Sequence, residues 1–181
     1  MTGRTARKMS PMRTAKVIVS VGAALIAALA IGAIAAVSSM TVTRPAPDVT
    51  FNGISGDSYS TTDLHGKVVV VNFWATWCPD CVKEMPKLVD THRKFAGRGY
   101  ETIAVAVRQD ELERVRQFTA KNGLPFKVAF DRQGAIAREF GNVRITPTTF
   151  VIDRKGKIVQ RYVGEPDWSK LQQLIERELR P

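Results

Sequence analysis

Residues 68–81 read Val68-Val69-Val70-Val71-Asn72-Phe73-Trp74-Ala75-Thr76-Trp77-Cys78-Pro79-Asp80-Cys81. Val68 to Phe73, after the turn residues Gly66-Lys67, is an apolar β-branched run without the alternation of a half-exposed strand. It is expected to be a strand buried on both faces. From Pro79 to about Ala96 the period changes. Val82, Met85, Leu88 and Val89 recur at helical spacing and are expected on one face, and Pro86 inside the helix is expected to bend it. The two cysteines fall where the strand ends and the helix begins. At a helix start, positions i and i+3 lie on one side, so the two sulfurs can form or break a disulfide with little backbone motion. Free N–H groups and the positive end of the helix dipole favour a thiolate on the first cysteine. Cys78 is therefore expected to be the attacking thiolate and Cys81 the resolving thiol.

Outward from this junction the chain alternates. Tyr100 to Val107 reads as a strand and Glu111 to Asn122 as a helix closed by Gly123. Phe126 to Phe130 reads as a strand, and Ala135 to Phe140 as a short helix stopped at Gly141. Thr149 to Ile152 and Lys157 to Val163 are strands joined at Arg154-Lys155-Gly156, short enough for a hairpin. Trp168 to Leu179 is an amphipathic helix with Leu171, Leu174, Ile175 and Leu179 on one face and Lys170, Arg177 and Arg180 as solvated charges. Alternating strands and helices with a terminal hairpin give an α/β class with a sheet of mixed direction.

The chain has 181 residues with 27 Lys+Arg, 17 Asp+Glu, 2 Cys and a formal charge of +10. Five of the basic residues (Arg4, Arg7, Lys8, Arg13, Lys16) precede residue 44, where no acid occurs, so half of the net charge belongs to the N-terminus. No basic stripe interleaved with aromatics and no nucleic-acid motif is present, so no nucleic-acid partner is expected. Val17 to Val37 is uncharged over 21 residues, roughly 31 Å as a helix, about the thickness of a bilayer core. The preceding positive charges put residues 1–16 in the cytoplasm and the rest outside it. Residues 17–37 are expected to be a retained transmembrane anchor. The competing reading is a cleaved signal sequence with Ala33-Ile34-Ala35 as its small-residue site. Residues 38–47, which include Thr41 to Pro47, read as a linker, and 48–181 as one domain with one core.

Outside the cytoplasm disulfides persist. A pair closing so short a loop would add little stability as a staple. Structural zinc would need four N/S ligands, and only His65 and His92 accompany the pair. His65 is expected on a surface turn and His92 on the outer side of its helix, so no metal is expected.

Gly66 to Cys81, followed by Glu84-Met85-Pro86, resembles thioredoxin-like proteins, and within them the membrane-anchored, extracytoplasmic TlpA/ResA/CcmG type. Ile145-Thr146-Pro147-Thr148-Thr149-Phe150-Val151-Ile152-Asp153 resembles that family's cis-proline segment. The resemblance covers roughly residues 47–180. It implies a thioredoxin-like fold with a central mixed sheet flanked by helices, and an extra helix–strand unit around residues 108–128. It implies a cis Thr146–Pro147 bond facing the Cys78 sulfur; proline, lacking an N–H, leaves adjacent backbone open to a substrate strand. Where thioredoxin has a buried carboxylate this chain has Asn72, and the branch's glutamate matches Glu84, expected to tune the thiols and relay the proton for Cys81. The expected catalytic residues are thus Cys78, Cys81, Glu84 and Pro147, with Trp77, Pro79, Asp80 and Thr146 contacting substrate. No cofactor is implied beyond a redox-active Cys78–Cys81 disulfide.

Asp80 puts a negative charge in the first helical turn, opposing a Cys78 thiolate, so a reducing potential is expected. The resemblance implies protein disulfide substrates, such as apocytochrome c or a copper-site protein, and a membrane electron-transfer protein as reductant. The rivals are a disulfide-donating oxidase with the same residues, a thiol peroxidase and a non-enzymatic copper chaperone. The peroxidase is disfavoured because no Thr/Pro-lined, Arg-assisted pocket accompanies the cysteine. The chaperone would use Cys78, Cys81 and a third ligand such as Met85, and no His is suitably placed for it.

Overall fold

The computed structural model describes residues 43–180. The elements are β1 (Arg44–Pro45), β2 (Thr50–Asn52), β3 (Ser58–Ser60), a 3-10 turn (Thr62–Leu64), β4 (Val68–Trp74), α1 (Pro79–Phe95) and β5 (Tyr100–Ala106). They continue with α2 (Leu112–Asn122), β6 (Lys127–Phe130), α3 (Ala135–Glu139), β7 (Thr148–Ile152), β8 (Lys157–Val163) and α4 (Trp168–Glu178). Six strands form one sheet in the order β1-β8-β7-β4-β5-β6, and β2 and β3 form a separate two-stranded sheet. β4 runs parallel to β5, and β5 to β6. Parallel neighbours need a crossover, and α1 and α2 supply it. β7 is antiparallel to both β4 and β8, so the sheet is mixed, as the alternation of elements predicts.

β4 is buried along its whole length. Successive side chains leave a strand on opposite faces, and here the two faces meet different layers. Trp74 packs on Phe118 of α2, with ring centroids 5.1 Å apart. Phe73 meets Phe140 and Phe150 on the other side at 5.4 and 5.9 Å. Phe140 also reaches Phe51 of β2, which stacks on Tyr59 of β3 at 5.6 Å. In α4 the predicted apolar face, Leu171, Leu174, Ile175 and Leu179, is buried. This helix is tied to α1 by Gln172 donating to Thr91 Oγ1 at 3.0 Å and by Arg98 donating to Glu176 at 2.6 Å. α2 ends at Gly123 in the left-handed conformation (φ 55°), where a side chain would be strained. The β7–β8 turn is held by Asp153, whose carboxylate accepts the N–H groups of Lys155 and Lys157.

Several readings are corrected. Arg44–Pro45, inside the stretch read as linker, is an edge strand with Arg44 opposite Ile158 and Pro45 opposite Lys157. Val82, placed with Met85, Leu88 and Val89 by its spacing, is 39% exposed, while those three are buried. His92 does not lie on the outer side of its helix. It is buried, with its ring 3.1 Å from Thr102 Oγ1 and edge-on to Phe126 at 5.5 Å. A lone histidine on an otherwise helical pattern gives no sign of which face it occupies until the sheet is in place. The β2–β3 hairpin was not foreseen, because three-residue strands with one apolar side chain each are too short to show a period. Among the described residues no helix is long and apolar enough to cross a membrane. The expected anchor at residues 17–37 lies outside the described residues.

Candidate active site

Cys78 is the N-cap of α1, in extended backbone, and Pro79 occupies the first helical position, where its missing N–H costs nothing. The Cys78 sulfur accepts the N–H of Cys81 at 3.3 Å. The two cysteines are disulfide-bonded, with Cα atoms 5.3 Å apart. Their environments differ: Cys78 is 5% exposed and Cys81 is fully enclosed. Only the first cysteine keeps any exposure. Beside it Trp77 stands 54% exposed, and Pro79 and Asp80 are also on the surface.

The segment before β7 forms the opposite wall. The Thr146–Pro147 bond is cis, and the Cys78 sulfur lies 3.6 Å from the Thr146 carbonyl oxygen. Thr148 donates its hydroxyl to the Ile145 carbonyl at 2.7 Å, which pins this segment to the start of the strand. The structure thus brings Trp77, Cys78, Thr146 and Pro147 to one place, although 68 residues separate Cys78 from Thr146.

Glu84 lies one turn after Cys81 and is fully buried. Asn72 of β4 donates its amide to Glu84 Oε1 at 2.8 Å and to Thr149 Oγ1 at 3.0 Å. Glu84 Oε2 has no partner. Burial pushes this carboxyl up to about 7, against the opposing pull of the Asn72 hydrogen bond, while Glu165 and Asp80 add to the rise. A carboxylic acid that titrates near neutrality under a dithiol is suited to proton exchange. Glu84 is therefore not a solvated helix carboxylate. Asn72, which cannot itself exchange a proton, holds the group that can.

Two residues beside the site carry no mark in the sequence. Asp110, after β5, is buried; it accepts the Thr76 hydroxyl at 2.7 Å, the Thr76 N–H, and the Glu111 N–H at 2.8 Å. It clamps the loop that carries Trp77 and Cys78. Its position just before a helix looks like ordinary capping, and nothing local marks its bond to a residue 34 positions earlier. Glu165 is the second. It accepts from Lys87 at 2.6 Å, Lys83 at 3.3 Å and Trp168 at 3.1 Å, joining the β8–α4 loop to the helix of the cysteines. These bonds hold its carboxyl down at about 2.

The chain matches the Redoxin family over residues 41–175. It is 33% identical over 138 residues to the thiol-disulfide oxidoreductase ResA of Bacillus thuringiensis, covering 76% of this chain and 79% of that one. It is 34% identical over 137 residues to the thioredoxin-like protein YneN of Bacillus subtilis, covering 74% and 78% of the two chains. A crystal structure of a thiol:disulfide interchange protein of the thioredoxin family from Chlorobium tepidum superposes with a TM-score of 0.69. It has 30% identity and covers 75% of this chain and 96% of its own. The mixed sheet flanked by helices, with a cysteine pair at the start of α1 and a cis-proline before β7, is the thioredoxin-like fold. The chain belongs to the Redoxin family and is a thioredoxin-like thiol–disulfide oxidoreductase.

Proposed function

We propose that this enzyme is a membrane-tethered reductase of protein disulfides working outside the cytoplasm. Residues 1–16 are cytoplasmic, 17–37 span the membrane, 38–43 form the tether, and the catalytic domain begins at the edge strand Arg44–Pro45. The observation that carries the exchange chemistry is the asymmetry of the pair: Cys78 keeps 5% exposure beside the Thr146 carbonyl, and Cys81 is fully enclosed; the direction rests on Asp80.

In the reduced enzyme the Cys78 thiolate attacks one sulfur of a substrate disulfide. A mixed disulfide forms, and one substrate thiolate leaves. Cys81 then loses its proton to Glu84 and attacks the Cys78 sulfur. The Cys78–Cys81 bond forms, the mixed disulfide breaks, and the second substrate thiolate leaves. Two electrons have passed from the enzyme's dithiol to the substrate. The cycle needs a dithiol donor to return them, and a membrane electron-transfer protein fits the tethered location. Trp77, Pro79, Asp80, Thr146 and Pro147 frame the substrate strand. The reaction needs no cofactor beyond the disulfide itself. Apocytochrome c haem-site cysteines and the cysteines of copper-site proteins are the substrates proposed. An oxidase that donates its disulfide would use the same residues in reverse, and Asp80 argues against it, since a carboxylate beside the thiolate does not stabilise the reduced form.

The test is the reduction potential of the protein, equilibrated against a glutathione or dithiol buffer. A value near the thioredoxin end, about −270 mV, is expected, and one near about −120 mV would make the enzyme a disulfide donor. Asp80→His is expected to raise the potential, and a fall or no change removes Asp80 from the argument.

A further inference from the structure

A cavity of about 330 Å³ is bounded by Val107, Arg108, Gly134, Arg138, Asn142 and Arg144 among others. Two of its wall residues adjoin the segments that carry the active site. The Val107 N–H donates to the carbonyl of Trp74 at the end of β4, and Arg144 stands two residues before Thr146, whose carbonyl faces the Cys78 sulfur.

Its charge is unbalanced. Arg98, Lys87 and Lys127 each meet a carboxylate at 2.6 Å. Arg108, Arg138 and Arg144 form no ion pair among the described residues. Arg138 donates only to the Gln133 carbonyl. Two of the three arms converge: a Cβ placed on Gly134 would meet Arg108 Cδ at 2.9 Å and an Arg138 guanidinium nitrogen at 3.6 Å. Glycine is required there for that approach as well as for its φ of 67°. The one acidic wall residue, Asp131, is buried and directs its two oxygens at the N–H groups of Ile136 and Ala137. It holds the first turn of α3 and forms no ion pair with the arginines, so three cations face one carboxylate.

We infer that this cavity is a subsite for an aspartate or glutamate side chain of the substrate polypeptide, flanking the disulfide that is reduced. The inference rests on the reductase reading above. Guanidinium groups present paired donors that match a carboxylate, and the cavity takes a side chain rather than a second domain. The polypeptide bound along Thr146–Pro147 is the molecule that the proposed reaction brings to this wall. Targets with acidic residues beside their cysteines would be preferred over neutral ones.

The experiment compares two disulfide peptides that differ only in Glu or Gln flanking one cysteine, using the reduced full-length protein. The acidic peptide is expected to have a kcat/KM roughly 3- to 10-fold higher at low salt, with the ratio shrinking as salt is added. Arg108→Gln, Arg138→Gln and Arg144→Gln together should bring the ratio close to one. Lys155→Gln, in the distant β7–β8 turn, removes one surface charge and should leave the ratio standing. No acidic preference overturns the inference, as does a Lys155→Gln effect as large as that of a single arginine change. So does a triple variant that keeps the ratio. Binding of the same peptides to the oxidised protein reads the subsite without turnover. An acidic preference there, with neither peptide reduced by the dithiol form, would defeat the reductase reading and leave the subsite intact.

Discussion

Glu84, in the core beneath the first turn of α1, and Glu165, in the loop between β8 and α4, both feel the charge of Lys87, yet their carboxyl groups move in opposite directions. Glu165 keeps contact with water and gathers Lys87, Lys83 and Trp168 as donors, which hold it at about 2. Glu84 is fully enclosed, has Asn72 as its hydrogen-bond donor and an orphaned second oxygen, and is pushed up to about 7. The same functional group therefore does two jobs a short distance apart. In the loop, direct hydrogen bonds outweigh a small loss of solvent and the carboxylate acts as a clamp. In the core, desolvation outweighs one hydrogen bond and distant cations, and the group is poised to carry a proton. The two are also linked, since the negative charge of Glu165 adds to the rise at Glu84.

The largest expected effect tests the core side of this contrast. A carboxyl raised from 4.5 to about 7 on folding favours the native state while protonated. The oxidised protein should thus be most stable below about pH 4.5 with respect to this group, and lose up to about 3 kcal/mol as the pH rises to 7. Urea unfolding across pH 4–8 checks this: Glu84→Gln should lack that decline. His92, which burial holds below its usual 6.5, contributes an opposite slope in both proteins and drops out of the difference. The same variant should shift the thiol pKa values of the reduced enzyme. Parallel stability profiles with unchanged thiols would reduce Glu84 to a packing residue.

A smaller effect is expected from Asn72→Ala, which removes the donor to Glu84. The cost should be about 1–3 kcal/mol at neutral pH. The midpoint of the pH-dependent decline should move above that of the parent, because the interaction that opposes desolvation is gone. A midpoint that falls instead would mean that solvent reaches Glu84 through the space left by the amide.

The smallest effect belongs to Glu165→Gln. A depressed carboxyl contributes stability above its ordinary pKa and loses it as the pH falls toward 2. The variant should therefore differ from the parent only slightly at pH 7 and converge with it in acid. Its sharper signature is indirect: with one negative charge removed and Lys87 released, the Glu84 midpoint should fall. An unmoved midpoint would break the link between the two carboxylates.

The asymmetry of the site separates what is local from what is not. A β-branched run with no alternation could only be a doubly buried strand, and Cys-Pro-Asp-Cys between it and a helical period placed two thiols at a helix N-terminus. Those features depend on residues within a few positions of one another, so strand β4, helix α1, the terminal hairpin and the apolar face of α4 were all readable, and so was the cysteine pair as the reacting centre. Glu84 was a candidate through the family resemblance, with an i, i+3 spacing from Cys81 that fits it. Its burial was not, because whether a helical glutamate faces water or a sheet depends on where α1 docks. The mistaken placements of Val82 and His92 share that cause.

The sequence by itself determined the longer elements from β4 onward, the dithiol and its attachment to a helix start, because backbone propensity and side-chain period act over short stretches. Only the tertiary structure decided which residues meet across the sheet. It set Asn72 against Glu84, Asp110 against Thr76, the Thr146 carbonyl against Cys78, and Arg108 and Arg138 on either side of Gly134. Such pairings follow from strand order and helix docking. They also decide whether a carboxyl titrates near 2 or near 7, since water and hydrogen-bond donors are distributed by the fold and not by the local chain.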